Sequence, residues 1–250
     1  MRKSILFSAI IGVLLFMTSC LGEVNNNYAD TTFVYIDSDY MGSTFGKTIS
    51  QYTRTRLITS DEMFMMNPGT IKILSYSWDE EYGTKQLSID GQTYNADVVR
   101  LSGDKVDVDP AYLNLSELSE EEESESFLEI APPLFAQYAD FMGDNWIFQY
   151  AYEIPKGQTA HVEFYKRDDE ENSNNNIIID IYLTHLGIAE GTSVEKKTDF
   201  LALDMSTLRN QYDGISSTNT KDLNIRFVYH VKDRTEPVQT QSYTLQVKGD

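Results

Sequence analysis

The chain has 250 residues, with 20 Lys and Arg against 39 Asp and Glu, and carries a formal charge of −19. That balance excludes non-specific nucleic-acid binding, which needs clustered cations to neutralise phosphates, and electrostatic docking onto anionic lipid. One Cys and three His leave too few ligands for a thiolate zinc site, an iron–sulfur cluster or a disulfide scaffold, so neither a cofactor nor a metal is expected.

Arg2 and Lys3 form a basic start, and Ile5 to Met17 follows without a charged residue. The run is too short for a spanning helix, which needs about 20 apolar residues, but it suits the apolar region of an export signal. It ends in Met17-Thr18-Ser19-Cys20. Small residues before a cysteine at this place resemble a bacterial lipobox, with Met17 standing where a Leu is commoner. The resemblance implies a signal peptide over residues 1–19 and a diacylglyceryl group on Cys20, the chain's one cysteine. The membrane would then be reached through that anchor rather than through a spanning segment. Residues 20–30 are polar and unpatterned and read as a lipidated tether. Glu23 is the one acidic residue close behind Cys20, so periplasmic and surface-exposed placement both stay open.

From residue 31 the pattern has a period of two. Thr32 to Ile36 reads as a strand, Met41 to Gln51 as a loop or bulge at a corner, and Thr70 to Trp78 as a strand after the Pro68-Gly69 turn. Asp79 to Gly83 is a turn, and Asp90-Gly91 after Leu87 to Ile89 is a hairpin signal, because glycine tolerates the positive φ required there. Val98 to Leu101, with Val106 and Val108, closes the series, and Pro110 reads as its stop. Five or so short strands in about 80 residues suit a small antiparallel barrel over 31–114.

Residues 115–126 (LSELSEEEESES) concentrate carboxylates without an apolar period and read as a solvated linker. In the segment 127–250, Trp146, Phe148, Tyr150 and Tyr152 share one strand face. Val162 and Phe164 point inward from the next strand, and Ile177, Ile179, Ile181 and Leu183 from a third. Phe200 to Met205 is a further strand, followed by a turn or helix from Ser206. Ile225, Phe227, Tyr229 and Val231 face inward, as do Tyr243, Leu245 and Val247. Leu134 to Met142 is expected to form a strand that turns back across Gly143-Asp144-Asn145. Half-polar strands at regular spacing without a long amphipathic helix indicate a β-sandwich, and the fold class expected is all-β.

The chemistry-bearing motifs are thin. His161-Val162-Glu163 echoes the H-x-E of zinc deaminases, but their paired cysteines are missing, and alternation places His161 and Glu163 on an outward face. His185 and His230 are scattered. Asp104, Asp107 and Asp109 lack the glycine and terminal glutamate of a calcium loop. No catalytic residue is assigned. Aromatic platforms for sugar rings are the alternative to core packing for Trp78, Tyr76 and Tyr82 in the barrel, and for Tyr165 and Tyr182 outside the sandwich.

Five segments together resemble the NigD-like lipoproteins of Bacteroidota: TSCLGE at 18–23, PGTIKILSYSW at 68–78 with IDGQTYNADVVRL at 89–101, GDNWIFQYAYEIPKG at 143–157, and FLALDMSTLRNQYDG at 200–214 before NIRFVYH at 224–230. The resemblance implies an OB-like N-terminal barrel and a C-terminal β-sandwich, and it carries no functional residues. The expected function is that of a non-enzymatic, lipid-anchored envelope protein, of the outer membrane, that binds an envelope protein or glycan and no nucleic acid. The alternatives are an assembly accessory of an outer-membrane complex, and a polysaccharide hydrolase whose carboxylate pair is made only by the fold.

Overall fold

The structure, a computed structural model, describes residues 27–49, 55–116, 124–136, 142–167, 175–213 and 219–248. The first half forms seven strands: β1 (Tyr28–Ser38), β2 (Thr44–Ile49), β3 (Leu57–Thr59), β4 (Ile71–Trp78), β5 (Thr84–Ile89), β6 (Gln92–Val98) and β7 (Arg100–Asp107). Their order in the sheet is β5-β6-β3-β2-β1-β4-β7. β1 is long enough to pair antiparallel with β2 on one edge and β4 on the other. β6 and β7 are separated only by Val99, whose N–H donates to the Thr59 carbonyl at 2.8 Å. They act as one bent strand, parallel to β3 through its first half and antiparallel to β4 through its second. These pairings close a ring β1-β2-β3-β6/β7-β4, which is the topology of an OB-like barrel. Val34, Ile36, Ile58, Met63, Leu74 and Tyr76 fill it. The β5–β6 hairpin stands outside the ring on an Asp90-Gly91 turn whose two φ values, +50° and +77°, are both positive, as a type I′ turn requires.

The second half gives β8 (Asp109–Asn114), β9 (Phe127–Ile130), β10 (Asn145–Pro155), β11 (Thr159–Lys166), β12 (Asn176–Leu186), β13 (Val194–Asp204), the helix α1 (Ser206–Tyr212), β14 (Thr220–Tyr229), β15 (Val238–Gln239) and β16 (Tyr243–Lys248). β8 lies between β11 and β13 and is parallel to both. The sheet folds about it, so that β10 and β13 face β12 and β14 across one core. Phe148 and Phe227 meet edge to face there at 4.9 Å. The inward residues read from the alternation are in this core: Trp146, Phe148, Tyr152, Phe164, the Ile177–Leu183 series, Ile225, Phe227, Tyr243, Leu245 and Val247 are buried, with Tyr150, Val162 and Val231 packed against them.

Several boundaries differ from the sequence reading. The strand β1 begins at Tyr28, inside the expected tether, because Tyr28 pairs with Trp78 and stacks on its ring at 5.5 Å. The expected corner loop around Met41 to Gln51 holds β2, whose Gly46, Lys47 and Thr48 are all buried. The first sheet ends at Asp107 rather than at 114, since β8 belongs to the second. Pro110 is within β8 and does not end the series. The β11 edge of β8 is taken up only from Leu113 onward, so at Pro110 one edge is unpaired, which is where a proline is tolerated. Of the strand expected from Leu134, the described residues show an isolated bridge to Ile147. The expected signal peptide over residues 1–19, Cys20, most of the expected acidic linker and most of the 168–176 hairpin tip lie outside the described residues.

The outer face of β10 and β13 is also apolar. Ile147 and Ala202 pack with Ile49, Ile71, Val108 and Met142, and Phe33 meets Phe200 edge to face at 5.2 Å, so the barrel and the sandwich share a second, smaller core. Beside it, Arg209 of α1 donates through Nε to both oxygens of Asp144, at 2.7 and 2.8 Å, and through Nη1 to the Gln246 carbonyl. Burial lifts the Asp144 pKa above the ordinary carboxylate value, against the lowering effect of Arg209.

Candidate functional site

Three local structures meet at one end of the barrel. The first is the connection from β1 to β2. The Asp39 carboxylate accepts from the Met41 and Ser43 amides at 2.9 and 2.7 Å, and its carbonyl accepts from Gly42 N–H at 2.9 Å. Gly42 takes a φ of +81°, open to glycine without strain. This tightly bonded turn leaves Tyr40 and Met41 at its tip, 93 % and 84 % exposed.

The second is the 3₁₀ turn Asp61–Met65, capped by the Ser60 hydroxyl, which accepts from Glu62 N–H at 3.4 Å. Met63 anchors the turn in the barrel core. The room for it comes from Gly46, where a Cβ would lie 2.8 Å from the Met63 Cε and 2.4 Å from the Val34 Cγ1. With Met63 pinned, Phe64 and Met65 point to solvent, 74 % and 83 % exposed.

The third comprises Tyr82 and Lys85, before and on β5, and Arg100 at the bend between β6 and β7. The Arg100 guanidinium lies over the Tyr82 ring at 4.5 Å, a cation–π arrangement that fixes both groups.

Together these walls enclose a cleft of about 930 Å³. Its lining carries both signs of charge. Lys85 and Arg100 make no ion pair among the described residues, while of Asp61 and Glu62 the latter is held by Lys105 at 2.6 Å. Met41 and Phe64 line the cleft, and each is next in sequence to a further exposed apolar side chain, Tyr40 and Met65; exposed apolar groups of this kind mark interaction surfaces. The lining supplies apolar contacts, carboxylates and cations, and this arrangement can bind a ligand that has both apolar and charged groups.

Of the residues singled out in the sequence, only Tyr82 belongs to this cleft. Tyr76 is barrel core, and burial pushes its pKa up to about 12. Trp78 is stacked on Tyr28 and donates its indole N–H to the Gly83 carbonyl at 3.1 Å. Tyr165 and Tyr182 meet edge to face at 5.7 Å on the outer side of the sandwich, with the Tyr165 hydroxyl on Glu163 at 3.1 Å. His161 and Glu163 share that outer face, 3.8 Å apart. His185 lies near Glu125, and His230 is exposed. Asp107 pairs with Lys72, and Asp104 and Asp109 are exposed beside the barrel strands. Cys20 lies outside the described residues. The rim residues Tyr40, Met41, Phe64 and Met65 escaped the sequence reading. Their signal was a short apolar run, Met63 to Met66, that fits neither period and is bounded by Asp61-Glu62 and Asn67-Pro68-Gly69.

No protein-family model and no curated protein matches the chain. Solved structures do. A protein of unknown function, DUF1344, from Bacteroides vulgatus is 10 % identical with a TM-score of 0.56, over 86 % of this chain and 91 % of that one. A candidate lipoprotein from Bacteroides fragilis is 14 % identical with a TM-score of 0.52, over 90 % of this chain and 99 % of its own. A NigD-like immunity protein from Bacteroides caccae is 10 % identical with a TM-score of 0.50, over 86 % and 96 %. The class is therefore an all-β, two-part fold. It is the fold of the NigD-like protein and of these Bacteroides neighbours, as the sequence segments implied.

Proposed function

We propose that the chain is a NigD-like lipoprotein of the cell envelope, exported on residues 1–19, anchored at Cys20 and non-enzymatic. Its barrel rim is the surface that binds an envelope protein or glycan. The observation that carries this reading is the pair Met41 and Phe64, 84 % and 74 % exposed, in the lining of a cleft that also holds Lys85, Arg100, Asp61 and Glu62, with the exposed Tyr40 and Met65 next to them in sequence. Exposure on that scale has no stabilising role in the isolated fold and is relieved by a partner. The neighbours described as a lipoprotein and as NigD-like support the envelope placement.

Two experiments test it. Epitope-tagged chain is fractionated and probed with protease on whole cells. The native sequence is expected in the membrane fraction, and a Cys20→Ala form is expected to be released. A Cys20→Ala form that stays in the membrane overturns the anchor. Envelope extracts are then passed over the chain and over a Met41→Ser/Phe64→Ser double variant. Enrichment that the variant loses supports the rim; identical profiles place binding elsewhere.

A further inference from the structure

Resting on that reading and extending it, we propose that the rim takes an extended polypeptide segment, added as a strand to the free edge of β5. β5 is the last strand of its sheet. The two-residue turn makes Ile89 and Gln92 a hydrogen-bonded pair, so Leu87–Tyr94 and Lys85–Ala96 are bonded pairs as well. Thr84, Gln86 and Ser88 therefore turn their N–H and C=O away from β6. The Ser88 carbonyl confirms that direction by accepting from the Tyr40 N–H at 3.0 Å. At Thr84 and Gln86 the outward groups have no partner among the described residues, and both residues are exposed.

Lys85 lies between these two and lines the cleft with Arg100. A chain laid along β5 would complete the outward main-chain bonds, the usual source of affinity in strand addition. Its apolar side chains would reach Met41 and Phe64, and a carboxylate on it would meet Lys85 and Arg100. Outward main-chain N–H and C=O groups at strand spacing are matched by another extended backbone and not by a sugar, so the free edge favours peptide over glycan. The partner is thus a protein segment that alternates apolar with acidic residues.

The test uses the full-length chain in detergent and a displayed library of random peptides, followed by anisotropy titration of the selected sequences. Selected peptides are expected to alternate apolar residues with Asp or Glu and to slow amide exchange at Thr84 and Gln86. Gln86→Pro removes an outward N–H and no bond to β6, and is expected to weaken binding at least about tenfold. Lys85→Glu is expected to weaken acidic peptides by a similar factor. The proposal is overturned if the library yields nothing beyond what Gln86→Pro retains, or if bound peptide leaves both amides unprotected. It is also overturned if a glycan panel binds the rim in the peptides' place. That last result would leave the rim as a binding surface, whereas identical pull-down profiles for the rim double variant would remove the surface itself.

Discussion

Gly46 decides where Phe64 and Met65 stand. Its φ is unremarkable and its role is space, since any Cβ there would collide with Val34 and Met63. Gly46→Ala is therefore expected to destabilise the barrel by about 1–3 kcal/mol, as overpacking does, and to disturb the rim. Urea denaturation read beside the peptide titration checks both effects. Arg209 is the counterpart near the sandwich. It is the partner of an Asp144 whose side chain is only 7 % exposed. Removing it leaves a buried, unpaired carboxylate, which costs about 3–5 kcal/mol. An Arg209→Leu chain that unfolds at the same urea concentration as the native one would refute that role.

At the scale of elements, the apolar outer face of β10 and β13 couples the two parts. Ile147 is buried on that face, so Ile147→Asp places a charge between barrel and sandwich, at a cost of several kcal/mol. Calorimetry is expected to show one unfolding transition for the native chain and two for the variant. The same elements show what could be read from the sequence. The strands β14 and β16 were legible because each buries one face in alternation, and β10 and β12 because their inward residues recur at every second position, although Ile147 and Ile178 are buried on the other face. β2 was not, because Gly46, Lys47 and Thr48 are all interior, Lys47 being held by Asp37 at 2.8 Å, and a strand with paired polar groups inside it shows no period. The place of β8 was hidden for another reason. Its neighbours are parallel strands whose registers meet it at Phe164 and Leu201, far along the chain, and local pattern does not encode such partners. The cleft was the least legible feature. Tyr82 was in view, but a rim is made where three loops converge, and its residues are recognised by exposure, which only the fold reveals.

For the whole molecule, tyrosine burial sets an alkaline limit. Burial raises the hydroxyl pKa of Tyr76 and Tyr150 to about 12. Tyr28 and Tyr152 are raised further, by burial and by donating to Asp97 at 2.8 Å and Asp199 at 2.5 Å. In the unfolded chain these groups ionise near 10, so the folded state holds protons that the unfolded state releases. Their contribution is complete below pH 10 and is lost as the pH rises through 12. Tyrosinate absorbance is expected to stay low for this group until the fold gives way, so the optical titration and the loss of structure should coincide. A smooth titration of all tyrosines around pH 10 with the fold intact would contradict it.

The position of β8 also orders events in time. Strands β1 to β7 find their partners within residues 28–107, whereas β8 has no neighbour until β11 and β13 have been delivered. Closing those long loops is slow relative to local hairpins. On a chain that leaves the ribosome or a translocation pore N-terminus first, the barrel can be complete while β8 is a bare strand trailing from it. The sandwich then has to assemble around that strand, and Ala202 can seal the shared core against the barrel only once β13 has arrived.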